Sequence, residues 1–275
     1  MKLVRYSNPG YTEGMGVYSN GQASDLSHNY DEFEDMLEEA GNMRFPPGDV
    51  KVDNSDLLPP VGRTSKILCM AVNYRGHIEE QHTAQTKEPI LFTKFYSSLT
   101  GPYAEIPRFT LSKIMDYEGE IAVVIGKRAK NVRTPEAWDH VLGYTLLNDM
   151  SARSLLRVPQ GDGVMLDWFS CKATDRSTPV GPWIVTKDEA GDFGSLRIET
   201  FLNGSKVQSA DPSDMVFDVP KIIEHVSSRV TLEPGDVIST GTPAGVGVAL
   251  RRTLEKGDVV RVQVEGIGHL ENRIV

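Results

Sequence analysis

Two glutamates stand two positions apart at the start of an apolar segment, in the sequence Asp116-Tyr-Glu118-Gly-Glu120 followed by Ile121–Ile125. If this segment is a β-strand, Glu118 and Glu120 share one face, because successive side chains of a strand alternate. Adjacent buried carboxylates repel each other, and a divalent cation would relieve that repulsion. All-oxygen ligation suits Mg²⁺, Mn²⁺ or Ca²⁺ rather than zinc. The alternative is that one glutamate is exposed beyond the strand end.

Two further polar residues could join such a site. Asp149 follows the aliphatic segment Leu142–Leu147, where it could supply a third ligand or simply belong to a turn. Lys172 has apolar neighbours in the sequence, and its ammonium group could extend past them to solvent. If that ammonium instead lies beside a bound substrate, it stabilises negative charge that develops on an oxygen.

A histidine and a glutamate three positions apart offer a second kind of chemistry. His77 and Glu80 follow the apolar segment Ile67–Asn73, and on one helical turn their side chains would meet. A carboxylate that orients and polarises an imidazole makes a general base. The alternative is an ordinary surface histidine beside an acidic residue.

The glycine-rich segment Gly241–Gly247 would let the backbone and Thr242 approach an anionic ligand closely. It lacks the Lys-Ser/Thr of a phosphate-binding loop and the setting of a dinucleotide fingerprint. The sequence has no Gly-x-Ser-x-Gly, which disfavours a serine hydrolase.

Composition excludes several classes of protein. The 275 residues include 29 Lys and Arg against 38 Asp and Glu, and the net charge of −9 without a basic cluster argues against nucleic acid. No apolar run approaches the length of about 20 residues that a membrane span needs, and the N-terminus does not resemble a signal peptide. Two cysteines are too few for a disulfide scaffold, so a reducing cytoplasm is expected.

The elements that must position these residues indicate an α+β protein. Residues 1–60 are predicted to form a small N-terminal α+β module, with a helix whose apolar face carries Phe33, Met36, Leu37 and Ala40. Residues 61–275 are strand-rich, with a hairpin turn expected at Asn203-Gly204. A helix is expected to begin with a capping Thr134 and to stop at Gly143. This order favours a rolled or sandwiched, β-rich domain with short flanking helices.

Taken together and in this order, the motifs resemble the fumarylacetoacetate hydrolase family over essentially residues 60–275. The matching pieces are Asn73-Tyr74-x-x-His77-x-x-Glu80, Asp116-Tyr-Glu118-Gly-Glu120, Asn148-Asp149-x-Ser151-Ala-Arg153, Lys172, Pro179-x-Gly181-Pro182-Trp183, Leu202-Asn203-Gly204 and Gly241-Thr242-Pro243. Residues 1–60 are similar to the small N-terminal domain of bacterial members. The resemblance implies a homodimer that acts on a small molecule, without a nucleic acid or membrane partner.

The resemblance also implies a role for each candidate residue. Glu118, Glu120 and Asp149 would bind Mg²⁺ or Mn²⁺, with Ca²⁺ possible in a crystal. His77, Glu80 and Lys172 would be catalytic, while Tyr74, Arg153 and Thr242 would bind the substrate, a 2-oxo or 2,4-dioxo acid.

The implied reaction is hydrolysis of a C–C bond in an acylpyruvate-like 2,4-dioxo acid, through an enolate that the metal stabilises. An oxaloacetate-type decarboxylase or a 2-oxo-acid isomerase or hydratase is the alternative on the same site. One departure from the family pattern bears on this choice. Ser154 and Leu156 stand where members often carry an acidic residue and a glutamine, which leaves the substrate open.

Overall fold

We describe a computed structural model that covers residues 1–8, 11–42 and 45–275. The strands are β1 Lys2–Asn8, β2 Tyr11–Ser19, β3 Gln22–Asp25, β4 Val50–Lys51, β5 Leu57–Leu58, β6 Ile67–Met70, β7 Leu91–Lys94, β8 Leu99–Thr100, β9 Met115–Asp116, β10 Gly119–Ile125, β11 Val141–Asn148, β12 Ser151–Ala152, β13 Arg157–Gln160, β14 Gly163–Leu166, β15 Thr178–Thr186, β16 Ile198–Leu202, β17 Ser205–Ala210, β18 Val237–Ser239, β19 Val259–Val264 and β20 Gly268–Arg273. The α-helices are α1 Phe33–Glu39, α2 Arg75–Glu80, α3 Trp168–Lys172, α4 Lys187–Ala190 and α5 Val219–Arg229.

One large mixed sheet carries the residues of interest. Its strand order is β4-β3-β2-β1-β15-β11-β10-β18-β6-β7, with β5 beside β1 and β8 beside β15. Neighbours are antiparallel except for the parallel pairs β18–β6 and β15–β8. A second, antiparallel sheet in the order β17-β16-β19-β20 packs against it. The prediction of a mixed, strand-rich α+β fold is confirmed.

Strand β10 lies at the centre of the molecule, and every one of its residues is buried. Ile121, Val123 and Ile125 face a core that includes α5 and the second sheet. Ala122 and Val124 face the opposite core, which includes the apolar side of α1. A strand covered on both faces reads as a continuous apolar run, which explains the sequence pattern that follows Glu120.

The expected hairpin turn at Asn203-Gly204 is confirmed. It joins β16 to β17, and both turn residues have positive φ, 51° and 80°. Asn and Gly tolerate this left-handed conformation better than other residues do, and two such residues form the turn that suits twisted antiparallel strands.

The predicted helix begins at Thr134 as expected, but Thr134 is not its cap and the helix ends before Gly143. The structure has a 3₁₀-helix over Thr134–His140, and Arg133 occupies the N-cap position without a side-chain capping bond. Strand β11 already begins at Val141. Gly143 does not end a helix; a Cβ there would overlap the carbonyl oxygen of Val185 on the adjacent strand. The glycine permits close approach of two strands.

Residues of the predicted N-terminal module extend the large sheet. Strand β1 pairs with β15, with Leu3 opposite Ile184, and β5 pairs with β1. The division of the chain at residue 60 stays a prediction. No helix in the described ranges is long and apolar enough to cross a membrane.

Candidate active site

Three carboxylates meet where β10 and β11 pair. Glu118 immediately precedes β10, Glu120 is its second residue, and Asp149 immediately follows β11. The register aligns Gly119 with Asn148, which brings all three side chains to the same end of the strand pair. One oxygen of each carboxylate lies within 4.8 Å of the others, and all three residues are buried.

Two buried lysines each contact one oxygen of the Asp149 carboxylate. The Lys172 Nζ lies 2.5 Å from Asp149 Oδ2 and 2.7 Å from Glu118 Oε2. The Lys94 Nζ donates to the other oxygen, Asp149 Oδ1, and both lysines are almost completely buried. Such charges are tolerated inside a protein only when they are paired.

Arg153 links the same cluster to a nearby loop. Its Nη2 donates to Glu118 Oε1, and its Nε lies 2.9 Å from Asp116 Oδ2. Asp116 also accepts hydrogen bonds from the backbone N–H groups of Gly247 and Val248, at 2.6 and 3.1 Å. Asp116 therefore fixes both the arginine and the end of the glycine-rich segment.

The electrostatic environments of the two glutamates differ. Burial would raise the pKa of Glu118, but Arg153 and Lys172 outweigh it and hold that pKa well below its ordinary value. Burial raises the pKa of Glu120 well above its ordinary value, and the negative charges of Asp149 and Glu118 raise it further. Glu118 thus forms ion pairs with Arg153 and Lys172, whereas the charge of Lys172 offsets only a small part of the rise in the pKa of Glu120.

The surroundings of Glu120 test whether a divalent cation fits. Its Oε2 accepts a hydrogen bond from the Ser239 hydroxyl and one from the Gly241 N–H at 3.2 Å, and both donors are neutral. Within the described residues, no basic side chain pairs with this carboxylate. A doubly charged ion among three converging carboxylates would supply the missing positive charge, so the residues present fit Mg²⁺ or Mn²⁺.

The structure brings His77 and Glu80 together on α2. The His77 Nδ1 lies 2.6 Å from Glu80 Oε1, and the Gly245 N–H donates to Glu80 Oε2 at 2.8 Å. Gly245 has a φ of 104°, and a Cβ there would overlap the carbonyl oxygen of Val207. The glycine-rich segment therefore holds the dyad in place.

A narrow cavity opens beside these groups. Its polar wall is formed by His77, Glu118, Arg153, Lys172 and Thr242. Its apolar wall is formed by Met70, Ala71, Val72, Phe92 and Trp168. Among the other predicted site residues, Asp149 contacts Lys172, Glu120 has a carboxylate oxygen within 4.8 Å of one of Glu118, and Glu80 contacts His77.

Thr242 and Tyr74 have different settings. The Thr242 hydroxyl donates to the Gly119 carbonyl at 2.9 Å and accepts from Gln208 Nε2 at 2.8 Å, so it is held firmly at the cavity wall. Tyr74 is packed in the core with Met70, and its phenol oxygen is buried. Tyr74 is not among the residues of the cavity wall. Its assignment to substrate binding stays a prediction.

Three residues at the site were not predicted from the sequence: Lys94, Ser239 and Gln208. Lys94 is the last residue of β7, and it is buried. A charged residue at the end of a strand was the feature of the sequence that could have indicated its role. Ser239 ends β18, next to the glycine-rich segment that was singled out. Gln208 lies on β17, and nothing in its local sequence indicates a role at the site.

The two departures from the family pattern lie outside the cavity wall. The Ser154 hydroxyl lies 2.9 Å from that of Ser112 and accepts from the Lys113 N–H at 3.1 Å, so it stabilises a loop. Leu156 ends a short 3₁₀ turn, and its carbonyl accepts from the Asp167 N–H at 2.8 Å.

Comparisons with known proteins indicate which family this chain resembles. A family model described as fumarylacetoacetate (FAA) hydrolase C-terminal matches residues 66–275. The mitochondrial oxaloacetate tautomerase FAHD2A of Homo sapiens is 42% identical over 220 residues, which cover 79% of this chain and 69% of the relative.

Two solved structures are similar over the whole chain. The fumarylacetoacetate hydrolase of psychrophilic Exiguobacterium antarcticum is 36% identical with a TM-score of 0.81. The 5-carboxymethyl-2-hydroxymuconate delta-isomerase of Mycobacterium smegmatis is 32% identical with a TM-score of 0.79. Each comparison covers 100% of this chain and 99% of the solved chain.

Proposed function

This chain belongs to the fumarylacetoacetate hydrolase family, and from that premise we propose that its cavity catalyses keto–enol tautomerisation of a 2-oxo acid with a divalent cation. The observation that carries the proposal is the buried group of Glu118, Glu120 and Asp149 beside the His77–Glu80 pair. The relatives are named as a hydrolase, an isomerase and a tautomerase, and enol formation is common to these chemistries. The tautomerase shares the highest identity of the three.

The three carboxylates would hold the cation, Mg²⁺ or Mn²⁺. When bound, the cation would polarise the 2-oxo group and stabilise the negative charge of its enolate. Arg153 and Thr242 line the cavity and would bind the carboxylate of the substrate. The Lys172 ammonium would stabilise charge on the 2-oxo oxygen.

His77 would transfer the proton. Because the Glu80 carboxylate can only accept a hydrogen bond, we assign the proton of the neutral ring to Nδ1, which leaves Nε2 as the base. Nε2 would take the proton from C3 of the substrate. The electron pair of the broken C3–H bond would form the C2=C3 bond, and the proton held on Nε2 would be returned to the 2-oxo oxygen to form its O–H bond, so that nothing is oxidised or reduced.

Hydrolysis of a 2,4-dioxo acid is the second candidate. It is supported by the same dyad, since His77 Nε2 could instead take a proton from a water that attacks the second carbonyl. The Exiguobacterium hydrolase, similar over the whole chain, also supports it. A homodimer in the cytoplasm, acting on small molecules alone, belongs to the same proposal.

The test uses oxaloacetate, followed through its enol absorbance, and acetylpyruvate, followed by product analysis for pyruvate and acetate. We expect catalysed interconversion of oxaloacetate tautomers in Mg²⁺ and its loss in excess chelator. Cleavage of acetylpyruvate alone would support the hydrolase instead. Activity that survives the chelator would contradict a metal-dependent reaction.

Two variants distinguish the role of the metal ligands from the role of the general base. Glu118→Gln should abolish Mn²⁺ binding and turnover together. His77→Gln should lower kcat by about 10²-fold or more, the usual contribution of a general base, while Mn²⁺ affinity stays unchanged. Full turnover in His77→Gln would remove this residue from the mechanism.

A further inference from the structure

The cavity has one wall that the proposed chemistry does not use. Phe92 on β7 and Trp168 at the start of α3 stack with ring centroids 5.2 Å apart and planes 6° apart. The Lys172 Nζ lies 5.1 Å from the centre of the Phe92 ring. The Phe92 ring therefore lies beside the ammonium that would meet the 2-oxo oxygen, and both rings of the aromatic pair line the cavity.

The two basic side chains of the cavity wall, Lys172 and Arg153, already form ion pairs with carboxylates of this protein. Lys172 contacts the carboxylates of Glu118 and Asp149, and Arg153 contacts those of Asp116 and Glu118. Of these two, Arg153 would be used by the carboxylate at C1 of the substrate. A second carboxylate at the far end of a substrate would then lie against aromatic rings, and desolvating it there without a counter-ion is costly.

We infer that Phe92 and Trp168 select a 2-oxo acid whose distal group is apolar and planar, such as an aromatic ring. The inference rests on the proposed function and names its substrate class. A flat ring stacked on the indole would gain dispersion and quadrupole interactions that a carboxylate does not. The aromatic wall sets selectivity, while the carboxylates and His77 perform a reaction that does not depend on the distal group.

The first measurement compares tautomerisation of phenylpyruvate and of oxaloacetate by the Mg²⁺-loaded protein. We expect a higher kcat/KM for phenylpyruvate. Trp168→Leu should raise the KM for phenylpyruvate about tenfold and change the KM for oxaloacetate much less, because the stacking that is lost involves only the aromatic ring. Trp168→Arg adds a cation to the wall and should shift the preference toward oxaloacetate.

Phe169→Leu is the matched control, since Phe169 is the neighbouring aromatic residue of α3 but is 68% exposed and outside the cavity wall. It should change neither KM. Phe92→Leu provides a second variant of the wall itself. A preference for oxaloacetate that Trp168→Leu does not alter would overturn the inference and leave the proposed function intact.

Calorimetric binding of both acids to the Mn²⁺-loaded protein keeps the two proposals distinguishable. Tight binding of phenylpyruvate without turnover of either acid would contradict the tautomerase and support the selective wall. Weaker binding of phenylpyruvate than of oxaloacetate would contradict the wall, whatever the reaction.

Discussion

At the scale of single residues, Asp149 depends on Lys94 for its orientation. Lys94 donates to Oδ1, while Oδ2 accepts from Lys172. Residues behind a ligand typically change metal affinity by 10- to 100-fold when they are removed. We therefore expect Lys94→Met to weaken Mn²⁺ binding by about that factor, measured by titration without substrate.

Two comparisons make this prediction specific. Lys94→Arg keeps the positive charge and should restore part of the affinity. Lys66→Met removes a lysine that pairs with Asp236 at a distance of 2.7 Å but does not contact the three carboxylates, and it should leave Mn²⁺ binding unchanged. Equal Mn²⁺ affinity in Lys94→Met and the unaltered protein would contradict a positioning role for Lys94.

Spacing in the sequence predicts contacts only between residues that lie close together along the chain. Glu118 and Glu120 share a strand face by their spacing, and His77 meets Glu80 by one helical turn. Lys94 was not predictable, because its partner Asp149 lies 55 positions away. Only the pairing of strands across the large sheet brings the two together, and the local sequence does not contain that information.

At the scale of elements, the link between β6 and α2 holds an unusual backbone conformation. Val72 has a φ of 56°, in the left-handed region, and it lines the cavity. This conformation costs an L-residue about 1–2 kcal/mol, and a β-branched side chain is particularly unsuited to it. Such outliers persist where the surrounding structure demands them, often at functional sites.

A matched pair of variants tests this conformation. Glycine adopts positive φ without the steric cost that alanine meets, so Val72→Gly should have a free energy of unfolding about 1 kcal/mol higher than Val72→Ala. Denaturant titration of both variants measures the difference. The usual order, with alanine the more stable, would show that Val72 is not held in the left-handed region.

Prediction of the elements succeeded where local chemistry decides the structure. The hairpin at Asn203-Gly204 and strand β10 are local in this sense, since turn residues and a continuous apolar run mark them. The segment after Arg133 was misread because Pro135 and Gly143 have more than one use. Proline also opens a 3₁₀-helix, and glycine also permits strands to approach closely.

At the scale of the whole molecule, two histidines couple stability to pH. Burial lowers the pKa of His269 on β20, and Arg261 lowers it further. Burial and Arg229 lower the pKa of His225 on α5 in the same way. The folded state therefore favours neutral histidines, and unfolding takes up protons at pH values below about 6.5.

We expect the free energy of unfolding to fall as pH drops below about 6.5, the ordinary histidine value. His269→Gln should make this fall shallower, and a double variant that includes His225→Gln should make it shallower still. Denaturant titrations between neutral and mildly acidic pH measure the slopes. Identical slopes in all three proteins would contradict the contribution of these two residues.

The place of β18 in the large sheet has a consequence for how the chain is made. Strand β18 lies between β10 and β6, although β6 precedes it by most of the sequence. During translation, β6 and β7 leave the ribosome while the strand that will join them to β10 does not yet exist. The nascent chain must keep the apolar edge of β6 from pairing wrongly until residue 239 emerges. Ser239, Gly241 and Thr242 arrive in the same stretch, so the candidate site is completed only after β18 has emerged.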